Sequence, residues 1–159
     1  MKDYFDWLVK TGSQLCVGLD PTPDQLNLPF LTTIIESTAP YAGVFKPNFA
    51  FFEQGGIPGL EILQKVIDIA HANGAPVILD GKRGDIANSA KAYVHGAFNV
   101  WGADAATVSP YLGRDSIEPW IQQGKGVYVL CHTSNAGAVD LQHLQIDGRS
   151  LYLVVAEMV

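Results

Sequence analysis

The chain has 159 residues, 48% hydrophobic and 16% charged, with a formal net charge of −6. That length predicts a single domain over residues 1–159, with enough apolar residues for a sizeable core and no signature of disorder. The acidic balance argues against a general nucleic-acid surface; no apolar run has the length of a membrane span, and the start through Trp7 lacks leader character, so a cytoplasmic protein is expected.

Short apolar runs alternate with longer helix-compatible segments. Strands are predicted over 15–19, 43–46, 76–80, 105–108 and 126–131. Between the second and third, Leu60, Leu63, Val66, Ile67 and Ala70 recur at helical spacing over 59–73, and Asn73-Gly74 closes that helix. Glu61, Lys65 and Asp68 fall on its solvated face. Further helices are expected over 86–98, 116–122 and 150–159. Cys16 and Cys131 sit inside apolar runs and read as buried free thiols, as in a reducing compartment. The four histidines are scattered without H-E-x-x-H or C-x-x-C spacing, so no protein-bound metal is expected.

Strands separated by helices imply βαβ units and a parallel sheet. Polar residues follow each strand: Asp20, Lys46, Asp80 with Lys82, Ser109, and Thr133-Ser134-Asn135. Chemistry gathered at successive strand ends is the pattern of a (β/α)8 TIM barrel, whose site lies at the carboxyl mouth of the strands. A doubly wound sheet is the alternative, but no G-x-G-x-x-G or P-loop supports it. Eight βα units take about 250 residues, so these five strands correspond to the first five units of an incomplete barrel.

The densest stretch is 79–87, Leu-Asp-Gly-Lys-Arg-Gly-Asp-Ile-Ala. Asp80 and Lys82 are two apart on a strand and point to one side, and Gly84 offers a turn before Asp85. Charges grouped at a strand end must be paired, solvated or engaged in chemistry. Taken alone, D-x-K-x-x-D is a loop ion-pair cluster; the company it keeps changes the reading.

The chain resembles the orotidine 5′-monophosphate decarboxylase family, in the branch whose core motif reads D-x-K-R-G-D-I. The resemblance runs through 16–21 (Cys-Val-Gly-Leu-Asp-Pro), 45–48 with Phe52-Glu53, 79–87, 103–113 and 133–135, in the family's order. It implies that Lys46, Asp80, Lys82 and Asp85 form the family's Lys-Asp-Lys-Asp catalytic network, with Asp85 reaching into a neighbour's site across a homodimer. It implies that Asp20 holds ribose hydroxyls and Ser134 reads the pyrimidine edge. Ser89 stands where the family carries a threonine that contacts the ligand from the other subunit. Lys46, Ile86 and Thr133 complete the implied substrate-binding set. Gly81 replaces a more usual alanine, a change expected to be tolerated.

The chemistry implied is cofactor-free conversion of orotidine 5′-monophosphate to UMP in pyrimidine biosynthesis. Loss of CO2 from C6 leaves carbanion character on a ring carbon, which a fixed ammonium stabilises. Lys82, flanked by Asp80 and Asp85, is expected to stay an ammonium and to deliver the proton. The family's phosphate grip lies on later loops, and no residue here is assigned to it; Arg114 and Arg149 belong to other blocks. Two readings therefore stay open beside an active enzyme. One is a catalytically impaired, truncated remnant that pairs through an open edge. The other is a hexulose-phosphate-synthase-like, magnesium-dependent aldolase, against which Arg83-Gly84 and 133–135 argue. Phe49, Phe51 and Phe52 read as core or dimer packing, and His132 as a structural histidine.

Overall fold

The computed structural model describes residues 3–159; residues 1 and 2, the beginning of the expected domain and of the start read as leader-free, lie outside the described residues. Strand β1 (Cys16–Leu19) pairs in parallel with β2 (Val44–Pro47). A second parallel run orders β3 (Ile78–Arg83), β4 (Ala105–Val108) and β5 (Gly126–Val129). Parallel bridges Phe45–Val77 and Asn48–Asp80 join the two runs, so all five predicted strands stand side by side in chain order.

The two faces of the sheet cover different layers. Outward residues Leu19, Phe45, Val77, Leu79, Ala106 and Val108 pack with α2 (Leu28–Thr38), α3 (Phe49–Glu53) and α4 (Gly56–Ala72) in one cluster. Within it α4 buries Leu63, Val66, Ile67 and Ala70, the face its periodicity predicts, while Glu61, Lys65 and Asp68 remain exposed. Asn73 caps α4, and Gly74 follows at φ 76. Phe52 is fully buried, whereas Phe51 lies at the surface.

The inward face meets a helix that the periodicity did not announce. In α1 (Tyr4–Thr11), Asp3 accepts the Phe5 N–H at the N-terminus and Gly12 ends the helix at φ 63. Tyr4 plugs the amino end of the sheet against Val44, Ile78 and Ala105. Its hydroxyl lies 2.7 Å from that of Tyr128 on β5. Beyond this plug the concave face opens on a cavity of about 720 Å³ lined by Cys16, Val44, Lys46, Ile78, Thr107 and Tyr128.

Several expectations change. Cys16 is exposed on the concave side and Cys131 is half-buried; both are free thiols, but neither lies in the core. Alternation along β1 turns Cys16 away from the helix layer that buries Leu19. The helix expected over 116–122 is replaced by two 3₁₀ turns, Arg114–Ser116 and Glu118–Trp120. Pro119 withholds a donor there, and Trp120 is drawn into the core. Helix α5 (Ala87–His95) passes into a π-helical turn at Gly96–Val100. After α6 (Ala138–Leu141), β6 (Gln145–Ile146) and β7 (Arg149–Ser150) form a small hairpin. Asp147 and Gly148 turn it at φ 49 and 75, the pair of left-handed residues a type I′ turn needs. Helix α7 (Leu151–Met158) follows, with no fully buried residue. Among the described residues, β1 and β5 are the outer strands, each paired on one side only.

Candidate active site

Lys46, Asp80 and Lys82 converge at the carboxyl end of the sheet. Lys46 occupies an inward position on β2 and donates from Nζ to Asp80 Oδ2 at 3.1 Å. Lys82 Nζ donates to Asp80 Oδ1 at 2.8 Å. Asp80 is only 5% exposed, so its carboxylate is held between two ammonium groups away from bulk water. Burial pushes the Asp80 carboxyl up, but hydrogen bonds from Lys82, Thr107 and Lys46 outweigh it and hold the group below the ordinary carboxylate range. Lys46 shows the converse. Burial disfavours its charge, yet the Asp80 hydrogen bond and the Asp80, Asp20 and Cys16 charges raise it above the usual lysine value.

Asp80 and Lys82 share a side as their spacing predicts, but not through regular pleating. Leu79 stands opposite Ala106 and Arg83 opposite Val108, so β3 advances by four residues where β4 advances by two. This bulge places Lys82 at φ 45, a left-handed conformation that costs a non-glycine residue about 1–2 kcal/mol. Backbone strain of this kind persists only where surroundings enforce it. One enforcing contact is Thr107 on β4, whose hydroxyl accepts the Lys82 N–H at 2.9 Å and donates to Asp80 Oδ1 at 2.7 Å. Another is Arg83, which turns outward and rests 4.8 Å from the Phe49 ring centroid and 5.0 Å from that of Tyr93. Thr107 is missing from the sequence prediction because it lies inside the apolar β4 run. An inward position on a strand flanking the charged one is the signal that marks it.

One expectation about this stretch needs correction. Gly84 does not supply the left-handed turn, which falls on Lys82 and Ala87 (φ 49). Its need is space: a Cβ there would lie 3.1 Å from Ser109 Cβ. Asp85 does not flank Lys82 within this chain, where the ion pair of Lys82 is with Asp80. The chain leaves the strand mouth after the bulge, and the Asp85 carboxylate accepts the Ile86 N–H at 2.8 Å at the entry to α5. Among the described residues Asp85 forms no ion pair.

Among the described residues, the remaining predicted residues make no hydrogen bond or ion pair to Asp80 or Lys82. Asp20 follows β1 at the surface, and its charge acts on Lys46. Ile86 and Ser89 are exposed at the start of α5. Thr133 is committed internally: Gln142 accepts its N–H at 2.8 Å and donates to its hydroxyl at 2.7 Å, while that hydroxyl donates to Asn135 at 2.6 Å. Ser134 is exposed beside it. Next to this loop His132 and His143 stack, with Nε2 atoms 2.9 Å apart. Arg149 pairs with Glu157, and Arg114 lies at the surface. Gly81 has its nearest side-chain neighbour in the flexible Arg83, at 3.3 Å from a built Cβ, so alanine fits there with a small shift.

Among the described residues no three His, Cys, Asp or Glu side chains gather as a metal-ligand set. Asp80, with an ammonium on each oxygen, is itself a poor cation ligand. Two ammonium groups around one carboxylate, facing a concave space, suit an anionic molecule whose charge changes during reaction.

A parallel sheet that carries its charged centre at the carboxyl ends of strands, with helices outside, is the architecture of a TIM-barrel protein, here represented by five strands. The chain belongs to the Orotidine 5′-phosphate decarboxylase / HUMPS family, whose model matches residues 13–158. It is 46% identical over 161 residues to an orotidine 5′-phosphate decarboxylase of Roseiflexus sp. (strain RS-1), which covers 94% of this chain and 58% of that relative. Among solved structures it is similar to Leishmania donovani UMP synthase, with a TM-score of 0.93 and 45% identity over 99% of this chain and 36% of that one. The L. donovani OMP decarboxylase superimposes with a TM-score of 0.91 and 46% identity, over 98% of this chain and 64% of that one. The chain thus spans 58% of the length of the curated Roseiflexus relative. No helix among the described residues is long and apolar enough to cross a membrane.

Proposed function

We propose that this chain carries the reacting centre for decarboxylation of orotidine 5′-monophosphate to UMP, without a cofactor. The observation that carries the reading is the buried Asp80 clamped by Lys46 and Lys82 at the strand ends, in a family whose curated relatives bear that name. The C6–carboxylate bond breaks, CO2 departs, and the electron pair stays on C6. Lys82 stabilises that charge and transfers a proton to C6, and the resulting amine is reprotonated from solvent. Asp80 crowds the substrate carboxylate in the ground state while it orients Lys82. Lys46 positions Asp80 and, with Asp20, meets the ribose. Ile86, Ser89, Thr133 and Ser134 complete the substrate contacts.

In this reading the working unit is a homodimer. Asp85, turned away from Lys82 of its own chain, would reach the Lys82 of a second copy and bring the four-residue network to zero formal charge. The test is loss of the substrate's ultraviolet absorbance with the 159-residue chain, with Lys82→Ala and EDTA-treated samples alongside. Metal-independent turnover that disappears in Lys82→Ala supports the proposal. A strict magnesium requirement would favour the aldolase, and a folded chain without turnover would favour the impaired remnant.

A further inference from the structure

We propose that Thr107 is a positioning residue whose hydroxyl locks Lys82 into its strained, proton-delivering conformation. The role rests on the decarboxylase reading above, since that reading gives Lys82 its task. The geometry is a closed circuit. The Lys82 N–H donates to Thr107 Oγ1 at 2.9 Å, Thr107 Oγ1 donates to Asp80 Oδ1 at 2.7 Å, and Lys82 Nζ donates to that same oxygen at 2.8 Å. Both ends of Lys82 are therefore tied to one carboxylate oxygen, the backbone through Thr107 and the ammonium directly.

The circuit has a direction. A hydroxyl has one proton. Because Thr107 accepts from the Lys82 N–H, that proton is free to go to Asp80, and the sense of every bond is fixed. The bulge between Leu79 and Arg83 explains why a side chain is needed. Where β3 runs four residues against two, Lys82 stands outside the regular ladder, and its N–H finds a side-chain acceptor in place of a β4 carbonyl. The left-handed φ of 45 at Lys82 is held from a strand whose own position is fixed on both sides by β3 and β5. Thr107 is only 9% exposed, so its hydroxyl is largely shielded from bulk water. Asp80 depends on it as well, since Oδ1 receives two donors while Oδ2 receives Lys46 alone.

A threonine at an inward strand position also fills space between strands, and the experiment must separate the two roles. The variants are Thr107→Val, which keeps the shape, and the pair Thr107→Ser and Thr107→Ala, which differ by the hydroxyl alone. Two readouts are made on the full chain. Amide hydrogen exchange at Lys82 reports the backbone bond and needs no turnover. Steady-state decarboxylation reports its consequence. Loss of a hydrogen bond between a hydroxyl and a charged group predicts a fall of about 10- to 100-fold in kcat for Val and Ala, with KM changed by less than about threefold and Ser close to wild type. Lys82 exchange should accelerate about tenfold or more in Val and Ala and stay protected in Ser. Should Val prove unfolded, the Ser–Ala comparison carries the test. Equal exchange and equal kcat in Ser and Ala would overturn the role. Faster exchange in Ala with protection in Ser supports the lock even if no variant turns over, and that failure would fall on the reaction instead.

Discussion

Replacing Asp80 by Asn tests whether the charge cluster holds the structure together as well as the chemistry. The substitution keeps the shape of the side chain but removes the charge that two ammonium groups and a hydroxyl address. Breaking a fully buried ion pair costs about 3–5 kcal/mol. The cost here is lower, because the Lys46 and Lys82 side chains are 28% and 48% exposed and can turn toward water. The variant also escapes the penalty of burying a carboxylate. The balance predicts a loss of about 2–3 kcal/mol, or about 4–12 °C in Tm for a chain of this size. Urea and thermal unfolding followed by circular dichroism measure it. The pH dependence has a defined sign. Asp80 is depressed in the folded state, so its contribution is full above the ordinary carboxylate value and is lost as pH falls through the depressed one. The gap between wild type and Asp80→Asn should be constant near neutrality and close in acid. A gap below about 0.5 kcal/mol at neutral pH, or one that widens in acid, would refute the reasoning.

Lys82→Ala should fold normally and lose about 10³-fold or more of kcat, read by the absorbance assay. Mixing Lys82→Ala with Asp85→Asn, each inactive alone, should restore activity if Asp85 serves a second copy. With random exchange half the dimers are mixed and one of their two sites is intact, so about a quarter of wild-type activity is expected; no recovery after exchange would remove the shared site. Gly126→Ala should destabilise by about 1–3 kcal/mol in urea unfolding, since its Cβ would lie 2.5 Å from the Tyr4 ring and 2.8 Å from Ala105 Cβ.

Much of the scaffold is written in local pattern. All five strands fall where apolar runs end on polar residues, and α4 follows its periodicity from Leu60 to the Asn73-Gly74 terminus. Where prediction departs, the cause is usually a local rule overridden or overlooked. Pro119 breaks an expected helix, and Trp120 is pulled inward. The Asp147-Gly148 hairpin carries a turn dipeptide that a search for helices passes over. The motif at 79–87 is legible as a dense run of charge at a strand end, and Asp80 and Lys82 do meet there, although a bulge and not plain pleating brings them together.

What the sequence determined by itself is the set of charged groups gathered at the end of an apolar run, because residue identity and the run's boundary need no tertiary contact. The tertiary structure decided the rest. The bulge that gives Lys82 its left-handed backbone exists because β3 must pair with β4 out of step, and Thr107 meets it across 25 residues of sequence. Asp85 sits five residues from Asp80 yet leaves the cluster, since the path of the chain into α5, and not proximity in sequence, sets where its carboxylate goes. Register between strands and the direction of a departing loop are long-range properties, fixed only when the core has packed.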